Sequence, residues 1–278
     1  MAIKVTSNGI PLILTKNNST KLKETNKENL KQSFKENGYV YLKNFLDVNK
    51  ILNLRKKYFS LFPKNSILKE NSTEIEGLSN GKKFYVPHGI KGHPAYNIVR
   101  KDEFNELAHE TKILNLISQI SNNKNIKVLK RKIIRHFYQH SNIASKAHID
   151  YTYLNKGTQN VFTAWIPLGD CNIETGGLIY LQNSHNLKLE SVKVMFPESK
   201  DKKWITNDLA NLAKKTCKKW MYSDYKAGDI VIHSPFLIHA SLDCSSVYMR
   251  LSTDIRYVTD NEKVDKRWSN NWSADDGH

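Results

Sequence analysis

Past residue 125 the chain breaks into short runs of β-branched, aromatic and aliphatic residues: Ile126 to Leu129, Ile133 to Tyr138, Val161 to Ile166, Leu178 to Leu181, Ile230 to Ile232, Phe236 to His239 and Met249 to Val258. Turn formers punctuate them at Gly157, Gly169-Asp170, Gly176-Gly177 and Gly228-Asp229. Many short strands with turn signals predict a β-sandwich or barrel. Upstream the periodicity is helical. Leu30 and Phe34 share a helix face that Asn37-Gly38 stops, Tyr39–Leu42 is a short strand, and helices are predicted over 48–61 and about 103–121. Residues 17–29 read as loop or exposed helix. Residues 64–101 read as a long loop carrying Tyr85, His88 and His93, and Trp204 to Trp220 as a short basic helix. The 278 residues are expected to form one domain, mainly β with flanking α-helices: a helical layer over about 20–121, a β core over about 125–258 and a tail over 259–278. Trp268 and Trp272 predict that the tail packs back on the body.

Composition narrows the function. With 39% apolar and 25% charged residues the chain suits a globular protein, and no apolar run is long enough to span a membrane. The patch Ile10 to Leu14 is too short for an export signal, and Cys171, Cys217 and Cys244 have no disulfide or zinc spacing. A cytoplasmic setting is expected. The net charge of +16 favours anionic partners, and a solvated basic surface explains it equally well.

Chemistry concentrates in KAHIDYTYL. On a strand, His148 and Asp150 would point to one face with Cα atoms about 7 Å apart. A His and a carboxylate converging on one metal make two-thirds of a 2-His-1-carboxylate triad, for which His239, in GDIVIHSPFLIHAS, is the third candidate. This donor set suits Fe(II) and leaves positions for a 2-oxo acid and dioxygen. Two ligands at one strand end and a third from a distant strand suit a double-stranded β-helix. Arg250, eleven residues after His239, and Ser252 on the same strand face offer a fork and a hydroxyl to the co-substrate's far carboxylate.

HID at 148–150, AWIPL at 164–168, ETGGLIYLQNSH at 174–185, GDIVIHSPFLIHAS at 228–241 and RLSTDIRY at 250–257, in that order, resemble the phytanoyl-CoA dioxygenase family. GYVYLKNFL at 38–46 resembles the start of the same domain. The resemblance covers roughly residues 30–258. It implies a jelly-roll, cupin-like double-stranded β-helix that uses Fe(II), 2-oxoglutarate and O2 to hydroxylate a small metabolite, releasing succinate and CO2. It implies iron on His148, Asp150 and His239, and 2-oxoglutarate on Arg250 with Ser241 in support and Trp165 as a pocket wall. Related halogenases carry Gly or Ala in place of the acid, so Asp150 implies a hydroxylase. Desaturation, cyclisation or epimerisation on the same iron, and a basic nucleic-acid-binding protein, are the rival readings.

Other residues divide between roles. His233, between two strands, reads as structural, as do His136 and His140, and His185 as a partner for backbone or a pocket residue. Arg131, Ile133 and Arg135 share one face, which makes Arg135 a candidate for substrate or co-substrate, against a solvent-facing edge. Tyr151 and Tyr153 are expected in core or rim, off the ligand face. Arg256 is expected to pair with Asp254 or to reach the substrate. The basic insert 200–219 and the 64–101 loop could rim the mouth, although a solvated face is the commoner explanation for such a charge run.

Overall fold

The computed structural model describes residues 2–82 and 92–273. Its strands are β1 (Ile3–Ser7), β2 (Ile10–Leu14), β3 (Ser19–Lys21), β4 (Tyr39–Leu42), β5 (Ile126–Val128), β6 (Ile133–Phe137), β7 (Val161–Pro167), β8 (Leu178–Leu181), β9 (Trp220–Tyr222), β10 (Ile230–His233), β11 (His239–Ser241) and β12 (Arg250–Thr259). Helices α1 (Leu30–Asn37), α2 (Val48–Phe59), α3 (Ala95–Ile98), α4 (Asp102–Ala108) and α5 (Thr111–Ser121) precede β5, while α6 (Tyr151–Leu154), α7 (Leu189–Val194) and α8 (Leu209–Thr216) lie between later strands. Tyr85 and His88 lie outside the described residues.

Two sheets face each other, as a double-stranded β-helix requires. One runs β4-β10-β7-β12-β5, with β6 also on β12, and the other runs β11-β8-β9-β3. Trp165, Val231 and Tyr41 from the first sheet pack with Tyr180 and Met221 from the second, which makes the layer between them. The opposite face of the large sheet packs on α1 to α5 through residues such as Val40, Ile232, Ile255, Phe104 and Ile117. α8 and the β1–β2 hairpin cover the outside of the smaller sheet, where Leu12, Leu14, Leu209 and Leu212 pack on Ile179 and Ala240.

Several expectations shift. The single helix over 103–121 is two, broken at His109-Glu110, so that Phe104 and Leu107 and then Ile113, Ile117 and Ile120 all reach the core. The basic helix is confined to Leu209–Thr216, Asp208 caps it, and Trp220 opens a strand instead. The stretch 17–29 holds β3 and a 3-10 turn, Lys27–Asn29. The strand foreseen at Phe236 begins at His239. An N-terminal hairpin also appears: Asn8 and Gly9 both take positive φ (52° and 75°), the Asn-Gly signature of a two-residue turn. Trp268 and Trp272 are buried, so the tail does pack back. Among the described residues no helix is long and apolar enough to cross a membrane.

Candidate metal centre

His148 and His239 face each other across a two-residue antiparallel bridge. Each backbone N–H donates to the other residue's carbonyl at 3.0 Å, and the ring centroids stand 4.2 Å apart. The expectation of a longer HID strand is corrected here. After that bridge the chain turns, and Asp150 takes helical angles (φ −60°, ψ −33°) at the start of α6. The Tyr151 N–H donates to Pro235 O at 2.9 Å and fixes the turn. Asp150 therefore converges with His148 through a strand-to-helix corner, not through strand parity. The donor atoms of His148, Asp150 and His239 all lie within 4.8 Å of one another, with Asp150 Oδ1 3.8 Å from His239 Nε2.

Protonation suits a cation. The Nδ1 atoms of His148 and His239 lie 2.7 and 2.9 Å from the carbonyls of Lys146 and Leu237. A carbonyl only accepts, so each Nδ1 carries the hydrogen and each Nε2 keeps a lone pair. Burial lowers both imidazoles below their usual range, and the neighbouring His148 and His233 lower His239 further. Burial alone would raise Asp150. Arg256 beside it, helped by His233 and His239, outweighs that and holds the carboxyl well below the usual carboxylate range. Two neutral imidazoles and one ionised carboxylate result, the state a metal requires.

A row of side chains across three strands clamps the acid. Thr163 on β7 is in register with His233 on β10 and with Arg256 on β12. The Thr163 hydroxyl donates to Asp150 Oδ2 at 2.7 Å, and Arg256 Nη2 donates to Oδ1 at 3.1 Å. His233 is fully buried with Nε2 3.4 Å from Oδ2. This corrects two readings. Arg256 pairs with Asp150, not Asp254, and His233 ends a strand behind the site instead of sitting in a turn. Thr163 was not foreseen. Its parity with Trp165 on a strand buried along its whole length was the available signal.

A cavity of about 260 Å³ opens in front of the three donors, lined among others by Arg135, Tyr153, Trp165, Arg250, Asp254 and Trp268. Tyr153 thus reaches the site after all, its ring 5.6 Å from that of His148, because α6 rotates it inward. Arg250 is buried. Its Nε and Nη2 donate to Ser252 Oγ at 3.2 and 3.1 Å and its Nη1 to Gly176 O, which leaves one hydrogen on each terminal nitrogen. Gly176 holds that carbonyl in place at φ 88°, where an added Cβ would lie 2.7 Å from Leu242 O. Ser252 therefore serves the guanidinium. Ser241 Oγ accepts the Ser145 N–H at 2.6 Å, and its own hydrogen stays available. Trp165 walls the cavity with a buried Nε1 that has no hydrogen-bond partner among the described residues. Of the basic insert it is Trp204 that reaches the lining, with Lys146 Nζ 4.1 Å over its ring. His185 meets the backbone at Lys35 O, as its turn suggested, and His136 is core.

A double-stranded β-helix with two imidazoles, one carboxylate and a buried arginine around one cavity has the architecture of the non-haem iron oxygenases. The model of the phytanoyl-CoA dioxygenase (PhyH) family matches residues 34–251, and the chain belongs to that family. It is a 2-oxoglutarate-dependent dioxygenase, an enzyme class whose cofactors are iron, 2-oxoglutarate and O2. Solved structures share the fold at low identity. The epimerase SnoN of nogalamycin biosynthesis, in complex with Fe3+, alpha ketoglutarate and nogalamycin RO, is 17% identical over 85% of each chain, with a TM-score of 0.61. The carbocyclase SnoK of the same biosynthesis is 19% identical over 88% of each chain, with a TM-score of 0.60. EvdO2 from Micromonospora carbonacea var. aurantiaca, complexed with 2-oxoglutarate, is 14% identical over 91% of this chain and 100% of its own, with a TM-score of 0.58. No curated protein matches the sequence significantly.

Proposed function

We propose that His148, Asp150 and His239 hold Fe(II), that Arg250 takes the far carboxylate of 2-oxoglutarate, and that the enzyme hydroxylates a C–H of a small anionic metabolite. The observation that carries this reading is the pair of Nε2 lone pairs, fixed by carbonyls at the opposite ring nitrogens, facing one ionised carboxylate. The iron, when bound, supplies activation of dioxygen coupled to oxidative decarboxylation of the co-substrate. The chain's own share is placement. Asp150 is kept ionised by Arg256 and oriented by Thr163. Arg250 has only neutral hydrogen-bond partners among the described residues, so a carboxylate supplies the charge its burial demands. Phe137, 4.3 Å from its guanidinium, and Trp165, at 5.7 Å, shield that contact from water. The unit works as one domain over 1–278, in a reducing cytoplasmic setting that keeps the three cysteines as thiols.

The test is succinate formation from 2-oxoglutarate with Fe(II) in air, comparing wild type with Asp150→Ala. The variant is expected to fall by a factor of about 100 or more, because the metal loses its carboxylate ligand from the protein. Equal turnover by the two proteins removes Asp150 from the centre and the mechanism with it. Isotopic oxygen gas then separates hydroxylation, which places oxygen from O2 in the product, from desaturation, cyclisation or epimerisation, which do not.

A further inference from the structure

The cavity is more cationic than the proposed cofactors need. Among the described lining residues, Lys146, Arg250 and Arg256 stand against Asp150 and Asp254, a surplus of one positive charge before Arg135 is counted. A ferrous ion and the 2-oxoglutarate dianion cancel each other, so the surplus survives loading. Arg250 accounts for one anion, and Arg256 stands apart from it. The two lie six residues apart on the same face of β12, roughly 20 Å along the strand at about 3.3 Å per residue. Arg256 is also adjacent to the donors, at Asp150.

Arg256 is not used up by that contact. Only Nη2 serves Asp150, while Nε and Nη1 are buried and have no hydrogen-bond partner among the described residues. Burying guanidinium donors unpaired is unfavourable unless an acceptor arrives. The group is also held rigid: its Cζ lies 4.3 Å over the ring of Trp268, whose Nε1 donates to Tyr153 O at 3.0 Å. Trp268 lies beyond the residues that match the family model, so this wall is supplied by the chain's own C-terminal segment.

We propose that Arg256, backed by Trp268, receives an oxyanion of the substrate, a carboxylate or a phosphate monoester, and thereby sets which molecules the enzyme accepts. This rests on the iron and 2-oxoglutarate reading above. The charge surplus, the unused donors and the aromatic backing all point to the same group.

The test uses full-length enzyme loaded with redox-inert Ni(II). Calorimetry first titrates 2-oxoglutarate, then, at saturation, benzoate, phenyl phosphate and neutral benzamide. Both anions are expected to bind at least tenfold more tightly than benzamide, and the tighter of the two identifies carboxylate or phosphate as the natural group. Arg256→Gln should erase that preference, and Arg256→Lys, which keeps a cation beside Asp150 and so retains the metal, should reduce it severalfold. Equal binding of benzamide and the anions overturns the proposal. So does a preference undiminished in both variants, or an Arg256→Lys protein that loses 2-oxoglutarate affinity while keeping the anions. If wild type does not bind 2-oxoglutarate at all, the underlying function fails; if it binds 2-oxoglutarate but shows no anion preference, only this inference falls.

Discussion

Two buried arginines, Arg55 and Arg250, show what separates a structural cation from a functional one. Both are about 3% exposed and both have neutral hydrogen-bond partners. Arg55 on α2 spends four N–H groups on the carbonyls of Ile75, Leu168, Glu76 and Met249, tying the helical layer to the ends of β7 and β12. Gly77 and Gly169 press so closely on it that a Cβ would fall 2.1 and 2.9 Å from its nitrogens. Burial pulls Arg55 down to about 10 and also lowers Arg250. Arg55 borders a larger depression, of about 830 Å³, yet it offers that space little, because four of its five N–H groups are spent. Arg250 borders the smaller cavity with a hydrogen left on each terminal nitrogen. The donors still unspent, not burial or cavity size, mark the binding group.

The sharpest way to break this contrast is Arg250→Ala. It should weaken 2-oxoglutarate by a factor of about 100 to 1000, the usual cost of truncating a buried charged partner, and leave the melting temperature nearly unchanged. A shift in Kd under about threefold would place the co-substrate elsewhere. Arg55→Met should do the reverse. Four carbonyls lose their donor at about 3 kcal/mol in total, lowering Tm by about 6–12 °C, while 2-oxoglutarate affinity stays within about threefold. Denaturant melts beside calorimetry read both quantities.

Histidines extend the comparison. His148 and His239 are neutral around the candidate metal position, whereas His93 and His136 are neutral in the core under α2, where Tyr58 Oη lies 2.6 Å from His136 Nδ1. Burial lowers His93 to about 4 and His136 to about 3, with His93 adding to the shift of His136. An unfolded chain takes up these protons near pH 6.5 and the folded one does not. Stability is therefore complete above about pH 6.5 and is lost as pH falls toward 4, by at most about 1.4 kcal/mol per pH unit per histidine. Acid melts of His136→Phe should show a shallower loss than wild type. An unchanged slope would mean that the cluster is not what titrates. The smallest expected effect is that of Thr163→Val. Removing the hydroxyl from Asp150 Oδ2 should weaken metal binding by about tenfold with little change in Tm, read by competition with a coloured chelator.

How much of this could be read in advance follows from the range of each signal. His148, Asp150, His239 and Arg250 were legible because donor chemistry and order along the chain identify them without knowledge of strand pairing. Arg256, His233 and Thr163 were not, since they meet only through the register of three strands that are far apart in sequence. The corner after His148 was missed for a related reason. Parity arguments assume that a strand continues, and here a contact with Pro235, 84 residues away, ends it. The hairpin at Asn8-Gly9 was the opposite case: its Asn-Gly turn signal was local and open to reading.

That hairpin grips a segment distant from it along the chain. The Thr6 hydroxyl and the Asn8 and Gly9 amides all donate to the Asp243 carboxylate, and the Ser7 hydroxyl donates to Ser241 O, two residues past His239. These polar partners lie 234 to 237 residues further along the chain, so during synthesis on the ribosome this clasp closes only after the strand that carries His239 has been made. A nascent enzyme interrupted before residue 239 would lack this clasp and would leave the β8 edge that β11 covers open to its neighbours.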